Sequence, residues 1–192
     1  MTDETARMLE EALDDEVAAQ ANADEFKRAC LAYVAEELPG RLDAFAKTVA
    51  QGQPDVTRSL GAEGVRQLRS ELETEATSLA GELKDSVGQI SWPSSQSRYS
   101  QVDNDSIRTA LFEYLSGARV GKIAAIFKHH GYDIQDDNAQ REQGLVNPLS
   151  LFDESQFGLL ARALNDLDGA KRHVASARTA YDNATVNELW GD

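Results

Sequence analysis

Apolar side chains recur along this chain every three or four residues, the spacing that lines one face of an α-helix. The clearest stripe is Val65, Leu68, Leu72, Ala76, Leu79, Leu83, Val87 and Ile90, seven steps across 25 residues. That is about 3.6 residues per step, the period of a straight helix. It predicts a helix from Gly64 to Gly88 that packs one face on a core.

The most regular pattern lies near the C-terminus. Leu160, Leu167, Val174 and Tyr181 are seven apart, and so are Ala163, Ala170, Ala177 and Ala184, offset by three. This heptad puts large residues at one core position and alanine at the other. Alanine lets a neighbouring backbone come close, so a tight helix pair is expected, antiparallel within the chain. The same heptad offers a homo-oligomer an interface. Asp153 is the expected cap, with Glu154 and Gln156 behind it.

Near the N-terminus, Leu9, Leu13 and Val17 form one stripe, and Phe26, Cys30, Tyr33 and Val34 form another. Between them, from Ala18 to Asp24, large apolar side chains vanish. The pattern fits one helix to about Leu38 with a weakly packed middle, or two helices with Asn22 or Asp24 capping the second. Pro39-Gly40 is expected to break it. A short helix carrying Leu42, Phe45, Ala46 and Val49 follows, and Gly52-Gln53-Pro54-Asp55 ends that one.

Residues 91–105 have no period, are rich in Ser and Gln, and contain Pro93. They read as a linker or docked loop, with Trp92 and Tyr99 touching the surface. A helix with Ile107, Leu111, Tyr114 and Leu115 resumes at Ser106, and Gly117 ends it. A second short helix carries Val120, Ile123, Ala124 and Phe127, with Gly131 suited to its C-terminal cap. The expected fold is therefore an all-α bundle of about six helices, with long antiparallel helices and a Ser-rich connecting segment. Residues 1–90 form one helical segment and residues 106–192 another, together making one joint bundle.

Composition narrows the function classes. The 192 residues suffice for a core without staples. The single Cys30 excludes an internal disulfide, and its place in an apolar stripe makes it a buried small hydrophobe. The acidic start Met1-Thr2-Asp3-Glu4 lacks the order of a signal peptide. No apolar run approaches the ~20 residues of a membrane span, so a cytoplasmic location is expected. The net charge is −14, of which −10 falls before Pro93. A surface this acidic disfavours direct contact with nucleic acid or anionic membrane. It suits a basic protein partner, or simply solubility.

Several clusters carry candidate chemistry. Glu10, Glu11, Asp14 and Asp15 crowd the early turns of the first helix. They could bind a basic partner, mimic nucleic acid, or pair with Lys171, Arg172 and Arg178 across the bundle. Glu71, Glu75, Glu82 and Asp85 sit near one face of a helix at spacings of 4, 7 and 3. All-helical metal-dependent hydrolases of nucleotides or phosphoesters use carboxylates in this style. That face lies off the apolar stripe, on a side expected to be solvated, with Glu36 and Glu37 or Glu10 and Asp14 as its only candidate second half. His129-His130 precedes Asp133, Asp136 and Asp137, but adjacent helical histidines diverge, and a histidine at a helix C-terminus is favoured by the dipole alone. The stretch from Arg119 to Gly131 has the outline of half a helix-turn-helix, yet acids follow where a recognition helix needs bases. No phosphate loop and no catalytic triad are legible.

The leading expectation is a non-enzymatic interaction or regulatory protein within a multi-protein assembly, requiring no cofactor. The acidic surface, the heptad and the large apolar pair Leu189-Trp190 near the chain end motivate it. The alternatives are the metal-dependent hydrolase on Glu71, Glu75, Glu82 and Asp85, and an acidic nucleic-acid mimic that binds a basic protein.

Overall fold

The computed structural model describes residues 2–95, 100–115, 118–132 and 154–190. Among them are five helices: α1 (Thr2–Gly52), α2 (Pro54–Lys84), α3 (Asn104–Leu115), α4 (Ala118–His129) and α5 (Glu154–Trp190). The protein is all-helical, one helix short of the expected six or so among these residues. Asp153, the expected cap of α5, lies outside them.

α1 and α5 run antiparallel as the spine. The Thr2 amide reaches Glu188 at 3.4 Å, and Ala12 packs with Val174 and Ala177. The seam between them is made of small residues. On α1 the buried positions are Ala12 and Ala23, with Ala19 half-buried; on α5 they include Leu160, Ala163, Leu167, Val174, Ala177 and Ala184.

The helical period explains why alanines hold this seam on α1. At about 100° per residue, a step of seven or eleven drifts only about 20° from a fixed direction, whereas a step of four drifts about 40°. Ala12, Ala19 and Ala23 therefore stay facing α5. The stripe Leu9, Leu13 and Val17 turns away from it, from half-buried to 38% and then 70% exposed. The expectation that this stripe packs on the core is corrected: it begins at the seam and leaves it.

Pro39 does not end α1. The helix continues through it to Gly52, where Gln53 alone joins it to α2. Proline removes one backbone bond, to the Ala35 carbonyl, and disfavours a helix interior by about 3 kcal/mol. Leu38, Leu42 and Ala46 are buried on the same face as Val34 and Ala35, so packing on both sides of Pro39 carries the helix across. The separate short helix expected there is the last stretch of α1.

α2 starts ten residues earlier than the expected Gly64, at Pro54, whose fixed φ and missing N–H suit a first helical turn. Gly61 interrupts it at φ 70° and ψ 178°, a left-handed conformation that glycine tolerates. Beyond it, Leu68, Leu72, Ala76, Leu79 and Leu83 are buried. Helical geometry stops at Lys84, yet Ile90 remains in the core through the following turn.

The described part of segment 91–103 lies along α5. Asn165 grips Val102 at both backbone groups, its Nδ2 donating to the carbonyl and its Oδ1 accepting from the amide, each at 2.9 Å. The Ser95 amide donates to the buried Asp168. Trp92 Nε1 donates to the Val87 carbonyl at 2.9 Å. α3 then starts two residues before the expected Ser106, because Asp103 Oδ1 accepts the Ser106 amide at 2.8 Å as an N-cap.

α4 ends in a full glycine cap. The Gly131 amide bonds the Lys128 carbonyl, and the Tyr132 amide reaches back to Phe127. Gly131 has φ 83°, and the Phe127 and Tyr132 rings meet edge-on at 6.2 Å. This is the Schellman pattern with its apolar contact. Tyr132 is buried, and its hydroxyl lies 3.0 Å from Thr57 Oγ1, which fastens the end of α4 to the start of α2.

The seam makes a contrast that can be measured. Ala23→Leu forces a larger side chain into a fully buried contact and is expected to destabilise by about 1–3 kcal/mol. Val17→Ala, two turns away on the exposed stripe, is expected to stay within about 0.5 kcal/mol of the parent. Urea unfolding followed by circular dichroism reads both. Equal losses for the two would show that α1 does not pair with α5 through its alanines.

Candidate functional site

Two regions hold the residues singled out from the sequence: the α1/α5 arm and the Glu71 face of α2. The arm is the part of the spine where, among the described residues, the two helices pack only on each other. Its core is Ala12, Val174 and Ala177 with Leu9 against them, separate from the main core that begins around Ala23 and Leu167.

Glu10, Glu11, Asp14 and Asp15 are all exposed on the arm. At about 100° per residue from Ala12, Glu10, Glu11 and Asp14 turn away from α5 and Asp15 lies on its flank. Among the described residues they form one ion pair, Arg7 with Glu11 at 3.6 Å, and both groups are well exposed. Such a pair contributes roughly 0–1 kcal/mol. Lys171, Arg172 and Arg178 do not reach them; Arg172 instead donates to Ser95 Oγ at 3.4 Å. Pairing across the bundle is therefore replaced by a solvated acidic face. The four carboxylates span only about 8 Å of helix axis. That is the rise of two or three nucleotides along one strand, too short a track to imitate a phosphate backbone.

Leu189 and Trp190 lie at the tip of the arm, 78% and 84% exposed, with Val186 at 50%. The face of α5 that meets α1 is occupied by Val174, Ala177 and Ala184, so Trp190 has no place in that seam.

The Glu71 face is not solvated throughout, which corrects the expectation. α4 packs on α2 there. Glu71 Oε2 lies 3.2 Å from Nε2 of the buried His130, and Glu75 lies 3.5 Å from Lys122 Nζ. Glu71 and His130 lie within ion-pair distance without an aligned hydrogen bond, and the contact carries charge only when the imidazole is protonated. Gln67 donates to the other Glu71 oxygen at 3.1 Å. Partial desolvation pushes the Glu71 carboxyl up, but His130, Gln67 and His129 outweigh it, and the net shift is down.

Glu82 and Asp85 do not join the other two. Glu71 and Asp85 are separated by about 21 Å of helix, and Asp85 is the C-cap of α2. One metal ion spans about 5 Å between opposed oxygens, so these four cannot share one. Glu36 and Glu37 lie on α1, and no described residue brings them into the set. Among the described residues no three side chains of His, Cys, Asp or Glu converge as metal ligands. Asp133, Asp136 and Asp137 lie outside the described residues.

A cleft of about 540 Å³ opens between α1 and α2 beside Pro39. Its two guanidiniums are already neutralised, Arg69 by Asp43 at 2.8 Å and Arg66 by Glu63. It lacks free positive charge for an anion. Cys30 is 1% exposed, and burial pushes its thiol up to about 12, so it holds no thiolate near neutrality. No described helix is long and apolar enough to cross a membrane.

Two features escaped the sequence reading. The pairing of Glu71 and Glu75 with α4 depends on contacts between residues some fifty positions apart, which no local pattern encodes. The exposure of Leu13 and Val17 was encoded, because the 40° drift follows from spacing once the alanines are taken as the seam. Compared with known protein families, curated proteins and solved structures, the chain matches none.

Two measurements check these assignments. A native-state thiol assay is expected to leave Cys30 unmodified over minutes, with full labelling in guanidinium; fast native labelling would contradict its burial. Acid should also destabilise the fold in a defined direction. Asp24 is held low by Gln20 and Lys27, Asp43 by Lys47 and Arg69, Glu71 as above, and Asp103 by Ser106. The unfolded chain, with values near 3.8 and 4.5, then binds more protons than the folded one. The stability from these groups is present above about pH 5 and is lost as pH falls through their lower folded values. Denaturant midpoints should fall below about pH 4.5, and Glu71→Gln should flatten part of that slope. A midpoint that rises on acidification would contradict all four.

Proposed function

We propose that this chain is a non-enzymatic helical interaction or regulatory protein, a component of a multi-protein assembly that engages a protein partner through the α1/α5 arm. One observation carries the reading: Trp190 and Leu189 project from the arm tip at 84% and 78% exposure, on a helix whose inner face is already matched by α1. Large aromatic and aliphatic side chains held out on a helix are the usual anchors of a protein interface. The acidic arm face and the net charge of −14 favour a basic partner over nucleic acid or anionic membrane. A cytoplasmic setting suits such a role.

The hydrolase reading has less support. Two of its four carboxylates are taken up against Lys122 of α4 and His130 just beyond its end, and the other two are turns away along α2.

The test is recovery from the native host with the tagged full chain as bait. A protein at near-equal stoichiometry is expected, reduced at least tenfold when Leu189→Ser and Trp190→Ser are combined. Glu73→Gln on α2 should leave recovery unchanged. If no partner is recovered, or if the double variant retains it fully, the arm tip is not the anchor.

A further inference from the structure

We infer that the ridge formed by Leu9, Leu13 and Val17 on α1 seats a basic amphipathic helix of the protein partner, which lies along the arm and converts its two helices into three. The inference rests on the reading of the arm as the binding element and adds where along it the partner lies and what chemistry it brings.

The first argument is apolar. Leu13 is 38% and Val17 70% exposed, one turn apart, and Leu9 continues the line into the arm core. Together they mark two turns of helix, about 12 Å, as a continuous track and not as scattered surface residues. The second is the thinness of what lies beneath. The arm core holds Ala12, Val174 and Ala177, so the two helices bury little between them. A third helix would supply the large side chains that this alanine seam lacks, as in a three-stranded coil.

The third argument fixes the occupant. At about 100° per residue, Glu10 and Asp14 border the ridge on one side and Glu16 on the other. Among the described residues none of these three forms an ion pair. An apolar track between two acidic borders is complementary to a helix with an apolar stripe between lysines or arginines. A second copy of this chain would set the same acids against each other, on molecules of net charge −14. It is therefore disfavoured as the occupant.

The experiment uses the full chain and a fluorescent peptide of about three heptads, with leucine at a and d and lysine or arginine at e and g. Anisotropy titration at low salt is expected to show saturable binding. A peptide with glutamate at e and g should bind at least tenfold more weakly, and added salt should weaken the basic peptide. Leu13→Lys combined with Val17→Lys should reduce binding at least tenfold, with the helical circular dichroism and melting temperature preserved because both positions are exposed. Leu189→Ser with Trp190→Ser should leave peptide binding within about twofold, which separates this ridge from the arm tip. Equal affinity for the two peptides overturns the inference, and so does full binding by the ridge variant. Dimerisation of the full chain in sedimentation, abolished by the ridge variant, also overturns it by assigning the ridge to a second copy. Failure here with an intact host complex that needs Trp190 would leave the interaction reading standing. Peptide binding without any host partner would instead remove that reading.

Discussion

Everything in this fold hangs on how closely α1 and α5 approach. Alanines of α1 face a row on α5 in which alanine alternates with leucine or valine, and a seam this rich in small side chains gains little from the area it buries. What it gains is proximity: two backbones near enough for dense van der Waals contact over a long distance. Because the seam must keep facing the same way, it selects positions seven and eleven apart on α1 and seven apart on α5. Every larger apolar residue is then placed by default. Those on the seam's flank near the body find α2, α3 or the 91–103 segment. Those on the flank of the arm, Leu13 and Val17, stay exposed among the described residues.

The body answers a different constraint. α2 lies against the second half of α1 through leucines, and the end of α4 is bound to α2 by charge and by Tyr132. The polar groups here have structural work. Asn165 substitutes for a missing strand neighbour at Val102, and Asp168 receives the Ser95 amide, so at these two positions backbone groups that would otherwise face the side of a helix are satisfied. Glu71 and Glu75 fix α4 on α2. Of the four carboxylates that resembled a metal set in one dimension, Glu71 and Glu75 face α4 in three.

The degree to which this was legible differs by element. The heptad of α5 could be read directly, since it repeats without interruption and six of its eight positions are buried, Ala170 and Tyr181 being half-buried. The core of α2 could be read as well, although the turn at Gly61 could not: isolated glycine in a periodic stretch carries no mark of its φ. Pro39 misled, because the local preference of a proline is strong and the packing that overrides it on both sides is spread over Val34, Leu38, Leu42 and Ala46. The stripe Leu9, Leu13 and Val17 misled for the opposite reason. Leucine and valine draw the eye as core formers, and Ala12 and Ala23 do not, yet the smaller residues are the ones at 0% exposure. In the candidate site, Leu189 and Trp190 could be marked from their chemistry alone. The ridge follows from spacing only once Ala12, Ala19 and Ala23 are taken as the seam, and the sequence does not mark them as such.

α1 is one covalent helix with two different mechanical supports. Among the described residues, its second half is braced by α2 and α5 together, and its first half by α5 alone through a few small side chains. Hydrogen bonds along a single helix normally share their fate, but here the opening free energy must grade from one end to the other. The arm can fray and re-form while the body stays closed. Its amide hydrogens would therefore exchange ahead of those of the body, in order of distance from Ala23, and a bound helix would appear first as a loss of that gradient.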